Sequence, residues 1–213
     1  MKRGQFITIE GTEGAGKSTA MTFISDFLHA AGRDVVKTRE PGGTEIAEQI
    51  RNVLLHTPAN ERMQPETELL LMFAGRAQHI AACIEPALIA GKWVVSDRFV
   101  DASYAYQGAG RGIDTQYIAT LDKMVVGKHY PNLTLLLDVP AEMGFSRAVK
   151  RNATRDRIEQ EKIDFFERVR NAYLARAKAD PKRIKVIDAS LSVDQVQDQI
   201  ANCLLEFVSK ETA

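Results

Sequence analysis

Apolar residues along this 213-residue chain alternate between two spacings. Short, unbroken apolar or β-branched runs lie at 5–9 (QFITI), 35–38 (VVKT), 93–96 (WVVS), 133–137 (LTLLL) and 184–187 (IKVI). Between them lie longer stretches with apolar positions three and four apart. These are 19–31 (TAMTFISDFLHAA) and about 44–56, 67–90, 114–126, 141–151, 160–179 and 192–209. The first spacing predicts buried strands and the second predicts helices. Strands interleaved with helices imply βαβ units, hence an α/β fold with a parallel sheet covered on both faces. No internal repeat, low-complexity segment or Pro/Gly/Ser-rich linker interrupts the pattern, so one domain over 1–213 is expected. The segment 68–74 (ELLLMFA) is apolar around more than one helical face. It is expected either to be sandwiched within the protein or to be shared with a second subunit.

Charge and composition narrow the classes. Lys plus Arg is 28 and Asp plus Glu is 28. A balanced chain has no general attraction to nucleic acid or to anionic membranes. Cys83 and Cys203 are far apart without a partner pattern, which argues against a disulfide scaffold or a zinc site. The four histidines, His29, His56, His79 and His129, lack metal-ligand spacing. Residues 1–4 run straight into the first strand, so no signal peptide is expected, and no apolar run reaches membrane-spanning length. A cytoplasmic protein is expected.

The sharpest chemistry lies in Gly11-Thr12-Glu13-Gly14-Ala15-Gly16-Lys17-Ser18-Thr19, a G-x-x-x-x-G-K-S phosphate-binding loop between the first strand and the first helix. Backbone N–H groups and the helix dipole attract phosphate there. Lys17 can reach β- and γ-phosphates, and Ser18 can ligate Mg²⁺. The third strand runs into Asp97-Arg98. An acid at that strand end commonly supports Mg²⁺ or its waters, and arginine offers a planar fork for phosphate; a plain strand-end salt bridge reads the same. Thr38-Arg39-Glu40-Pro41-Gly42-Gly43-Thr44 follows the second strand as a turn, with Thr44 placed to cap the next helix. Ligands of such folds bind beyond the carboxyl ends of the strands, which puts 11–18, Arg39, Asp97 and Arg98 on one rim. Arg151, Arg155 and Arg157 form a basic segment between two helices, suited to closing over a polyphosphate or to lying solvated on the surface. A phosphate loop facing a second set of arginines implies two anionic ligands, as in a kinase. The Asn-Lys-x-Asp sequence of a GTPase is missing.

Together, EGTEGAGKST, TREPGGT, FAGRAQ, SDRFVDASYAYQGAGRG, LLLDVP and DRIE resemble the bacterial thymidylate kinase family, nearly end to end and in the family's order. The resemblance implies a five-stranded parallel sheet flanked by helices, a short lid at about 150–158 and a homodimer. It implies transfer of the γ-phosphate of ATP to dTMP, with Mg²⁺. Residues 11–19 would hold ATP, with Lys17 on its phosphates and Ser18 at the metal. Glu13 would accept a hydrogen bond from the deoxyribose 3′-hydroxyl. Arg39 and Arg98 would bind the dTMP phosphate. Asp97 would support the metal and orient Arg98. Arg76 and Gln107 would bond the thymine base with Ser103 close by, and Met72 or Phe73 would pack on it. Tyr106 would fill the space of a ribose 2′-hydroxyl. Lacking an arginine in its phosphate loop, the chain would supply a catalytic one from the lid: Arg151 first, Arg155 second. Two other readings stand beside this one. The first is a kinase of another small acceptor. The second is a nucleotide-dependent regulatory or DNA-handling ATPase, which the missing basic groove disfavours.

Overall fold

β1 (Phe6–Glu10) is buried along its whole length, as a central strand in a sheet covered on both faces must be. The computed structural model describes residues 2–58, 60–151 and 157–212. Among them, β1 is joined by β2 (Val35–Arg39), β3 (Trp93–Asp97), β4 (Leu133–Asp138) and β5 (Ile184–Asp188) in a five-stranded parallel sheet of order β2-β3-β1-β4-β5. Register aligns Ile9 with Asp97 and Asp97 with Arg39, so the carboxyl ends of β1, β2 and β3 share one rim. Asp97, read from the sequence as following the third strand, is the last residue of β3, and β4 and β5 likewise end in Asp138 and Asp188.

Helices cover both faces. α1 (Lys17–Ala30) and α9 (Val193–Thr212) pack Ile24, Leu28, Ile200 and Leu204 on Ile7, Ile9, Val95 and Leu135. α3 (Pro65–His79) and α6 (Thr115–Val125) bring Phe73 and Ile118 to the opposite face, against Phe6 and Val94. β1 therefore sends alternate residues to two cores, as the strand period requires. α2 (Glu45–Leu55) is capped by Thr44, whose hydroxyl accepts from Ala47 N at 3.3 Å, as the sequence predicts. α7 (Ala141–Arg151) follows β4, and α8 (Ile163–Ala179) precedes β5.

Two segments differ from the sequence reading. The expected helix 67–90 is α3, then a π-helical turn at Ile80–Ile84, then α4 (Glu85–Ile89). Pro86 has no N–H to bond a carbonyl of the preceding turn, and the ladder widens just before it. Residues 100–110, which lie outside every helix that the apolar spacing predicts, are helical. α5 (Val100–Ser103) runs directly into a π-helical stretch, Tyr104–Gly110. Its glycines hide it from propensity, and tertiary packing holds it in place. A Cβ at Gly110 would stand 2.6 Å from Phe165 Cε2, and the Phe165 ring is itself packed by Tyr106, Phe166 and Arg111. Helix propensity favours alanine there by about 0.5–1 kcal/mol, whereas overpacking costs about 1–3 kcal/mol. Gly110→Ala is therefore expected to be net destabilising. Thermal unfolding checks this: the midpoint should drop by a few degrees, at roughly 2–4 °C per kcal/mol for a chain of this size.

Candidate active site

The loop 11–16 turns from β1 into α1 on glycines with positive φ, Gly11 at 141°, Gly14 at 73° and Gly16 at 91°. Gly16 is the left-handed cap of α1. A Cβ at Gly14 would lie 2.0 Å from the Gly144 carbonyl oxygen, so the loop's backbone is flush against α7. Lys17 Nζ folds back over the loop, donating to Gly11 O at 3.2 Å and Thr12 O at 3.0 Å, 3.8 Å from Glu13 Oε2. Burial and the nearby Arg98 charge push its pKa down. Ser18 and Thr19 lie exposed at the first turn of α1.

Arg98 faces this loop. It sits at φ 69°, the one non-glycine residue with positive φ among those described. That reversal follows β3 directly. Its Nη2 donates to Glu13 Oε1 at 2.7 Å and to the Tyr106 hydroxyl at 2.8 Å, and the guanidinium lies 5.0 Å from the Tyr106 ring centroid. The Tyr106 hydroxyl lies 3.3 Å from the same Glu13 oxygen. Burial pushes the Glu13 pKa up, but the charges of Arg98 and Lys17 outweigh it and hold the carboxyl at about 2. Arg98 Nε is buried without a partner, as is Asp97 Oδ1. Asp97, one residue before, acts on the Arg98 guanidinium through its charge. No hydrogen bond or ion pair joins them among the described residues, because the turn at Arg98 sends its side chain to the phosphate loop.

A second group lies behind this one. Arg76 is 1% exposed and points three donors at three partners. They are Glu40 Oε2 at 2.8 Å, Ser103 Oγ at 3.0 Å and Phe99 O at 3.0 Å. Its guanidinium lies 4.7 Å from the Phe73 ring centroid. Phe73 belongs to the core cluster, and Met72 is buried beside it. The other Glu40 oxygen lies 3.0 Å from His79 Nδ1, and Thr38 Oγ1 is 2.7 Å from His79 Nε2. Gln107, fully buried, donates to Glu68 Oε1 at 2.7 Å. Arg39 lies at the rim but is exposed and paired to Glu48 at 2.9 Å. Arg157 turns inward to Leu54 O and Glu68 rather than out over the loop. Arg151 ends α7; Arg155 lies outside the described residues.

These groups form a rim with a phosphate loop on one side and buried donors on the other. A family model described as thymidylate kinase matches residues 9–200. The chain belongs to the thymidylate kinase family. It is 53% identical to a thymidylate kinase of Alcanivorax borkumensis over 95% of this chain and 97% of that one. It is 54% identical to one of Chromohalobacter salexigens over 97% of each. A crystal structure of thymidylate kinase from Ehrlichia chaffeensis superposes with a TM-score of 0.76 at 33% identity, covering 95% of this chain and 99% of that one.

Within this family member, several residues that shape the site escaped the sequence reading. Glu40 stands next to Arg39, but nothing in a turn sequence reveals that it faces Arg76, thirty-six residues on. Glu68 was absorbed into an apolar stretch; a lone acid there was the available signal. Glu10 closes β1, accepting from Phe99 N at 2.8 Å and from the Tyr173 hydroxyl at 2.7 Å. It thereby holds the backbone beside Arg98. Burial, with the Asp101 charge, pushes its pKa up to about 8. A raised carboxyl contributes stability that is full below its unfolded value near 4.5 and is lost as pH rises through 8. Glu10→Gln keeps the shape without the charge. It should match the wild type at pH 5 and exceed it in urea-unfolding midpoint at pH 8. Equal pH slopes for the two proteins would contradict this.

Proposed function

We propose that this chain transfers the γ-phosphate of ATP to dTMP, giving ADP and dTDP, and so serves dTTP synthesis in the cytoplasm. The observation that carries the assignment within the site is the Arg98 guanidinium held between the phosphate loop's Glu13 and Tyr106, where donor and acceptor phosphates would meet. Among the described residues no helix is long and apolar enough to cross a membrane, and both cysteines are free thiols.

Residues 11–19 take the ATP phosphates, with Lys17 leaving its carbonyl partners for the β- and γ-oxygens. Arg98 and Arg39 take the dTMP phosphate. Glu13, ionised at neutral pH, accepts from the 3′-hydroxyl. Arg76, Ser103 and Gln107 meet the base, and the Tyr106 ring closes the space at C2′. A dTMP phosphate oxygen attacks the γ-phosphorus as its bond to the β-bridging oxygen breaks, and ADP leaves. The protein contributes position and charge. For Mg²⁺ the donors fit. Asp97 Oδ1 is a buried oxygen without a partner, Ser18 is exposed beside the loop, and no cage of three or more His, Cys, Asp or Glu forms among the described residues. That suits an ion held by one or two protein oxygens plus phosphates. Asp97 and Ser18 would hold the ion, which would supply positive charge to offset that of the phosphates.

The enzyme acts as a homodimer in this reading. α3 packs between α2 and α6, and Ile46, Val53, Leu70, Tyr117 and Met124 on these helices leave large apolar side chains exposed. Of the two alternatives for segment 68–74, Leu69, Met72 and Phe73 are buried in the fold, while the exposed Leu70 is the side chain that a second copy would cover in this proposal.

Mixing protein, ATP, Mg²⁺ and dTMP tests the activity: ADP should form only when dTMP is present. ADP formation without dTMP would favour the ATPase reading. The lid assignment is tested separately by Arg151→Ala, whose turnover should fall about 10³-fold or more while calorimetric dTMP binding changes little. Normal turnover would move the role to Arg155.

A further inference from the structure

Glu68 is 1% exposed near the start of α3, yet three side chains reach it. Gln107 Nε2 donates to Oε1 at 2.7 Å, Arg111 Nε to Oε2 at 3.1 Å and Arg157 Nη2 to Oε2 at 2.6 Å. Burial pushes its pKa up, but the Arg111 charge, the Gln107 hydrogen bond and Arg157 outweigh it, and the pKa lies below the ordinary carboxyl value. Glu68 is thus a carboxylate, which accepts hydrogen bonds and has none to give. This decides which end of the Gln107 amide meets it. The NH₂ faces Glu68, and the amide oxygen points elsewhere.

That oxygen, Gln107 Oε1, is buried and has no hydrogen-bond partner among the described residues. A buried carbonyl left unpaired is costly and marks the place of a missing donor. Four residues earlier on the same helical run, the buried Ser103 hydroxyl accepts from Arg76. The helix face 103–107 is therefore held to α3 at two points, by Arg76 at Ser103 and by Glu68 at Gln107. Arginine presents donors only; the amide of Gln107, turned by Glu68, presents an acceptor.

We infer that Glu68 is a specificity-determining positioning residue, one that turns the Gln107 amide so that its oxygen meets the acceptor's base and selects a pyrimidine bearing a ring N–H. The ring imide of thymine or uracil supplies that N–H. Cytosine offers a lone pair at the same ring nitrogen, which would face the carbonyl oxygen and leave both unpaired. The inference rests on the proposal that Gln107 meets the base, and it goes beyond that by naming what sets the amide's direction. A site built around one hydrogen bond rejects the analogue lacking it far more strongly than apolar packing can.

The test is the ratio of kcat/KM for dTMP to that for dCMP, with dUMP as the imide control. In Glu68→Gln, the new amide can donate to the Gln107 oxygen, so the Gln107 amide is free to turn over. The dTMP:dCMP ratio should fall about tenfold or more, while the dTMP:dUMP ratio, which reads the methyl group, stays put. Arg157→Gln removes a partner of Glu68 without touching Gln107, and its dTMP:dCMP ratio should stay at the wild-type value. An unchanged ratio in Glu68→Gln, or an equal fall in Arg157→Gln, overturns the inference. A wild type that fails to prefer dTMP over dCMP would sink the thymine reading itself. Glu68→Gln strips a buried carboxylate from two arginines and can unfold the chain, so a second measurement uses the wild type. The Gln107 side-chain amide protons, assigned by their loss in Gln107→Met, should exchange slowly with water both without and with dTMP. Fast exchange without dTMP, or protection gained only on binding it, would mean that the NH₂ faces the base and that the assignment is wrong.

Discussion

A guanidinium taken out of water needs a carboxylate beside it, and much of this structure follows from that need. A site that binds two phosphorylated ligands and a polar base requires arginines inside the protein. Each is met by an acid from a distant part of the chain: Arg76 by Glu40, Arg98 by Glu13, Arg111 and Arg157 by Glu68, Arg176 and Arg183 by Asp101. For the fully buried pair of Arg76 and Glu40, removing one member strands a buried charge, at a cost of about 3–5 kcal/mol. The pairs therefore act as fixed points. One ties the end of β2 to α3, another ties the phosphate loop to the turn after β3, and a third ties α3 to Arg111 and to Arg157 ahead of α8. A fourth ties α5 to α8 and to the start of β5.

The same pairing prepares the site for anions. Arg98 is partly buried and already oriented, so in the proposed function a phosphate there would meet a charge that needs little reorganisation. Lys17 occupies loop carbonyls at 3.0 and 3.2 Å in the same way. Glu13 touches both cations: its carboxylate bonds Arg98 at 2.7 Å and lies 3.8 Å from Lys17.

The backbone carries its own constraint. The phosphate loop lies so close to α7 that a side chain at Gly14 would overlap the Gly144 carbonyl, and one at Gly144 would come within 2.6 Å of Glu13 O. The helix that ends at Arg151 is thus set directly on the loop proposed to take the donor phosphates. α7 and the loop therefore pack backbone against backbone. Beyond α7 in the chain, Arg157 is bonded to Leu54 O and Glu68.

Local patterns in the sequence were enough for the sheet, the helices of regular period, the Thr44 cap and the phosphate loop. Each depends on residues within a few positions of one another, where spacing and φ preferences act directly. The shared rim of Gly11–Ser18, Arg39, Asp97 and Arg98 was legible too, because parallel βαβ order forces strand ends to one side. The π-helical stretch Tyr104–Gly110 was not, since its glycines weaken any local signal and Phe165, far along the chain, holds it in place. Nor were Glu40, Glu68 and Glu10, whose partners lie 36, 39 and 163 residues away for Arg76, Gln107 and Tyr173. Chemistry types and their order along the chain belong to the sequence. Which charge neutralises which is decided only when folding removes water and leaves each buried ion to the neighbour that the topology places beside it.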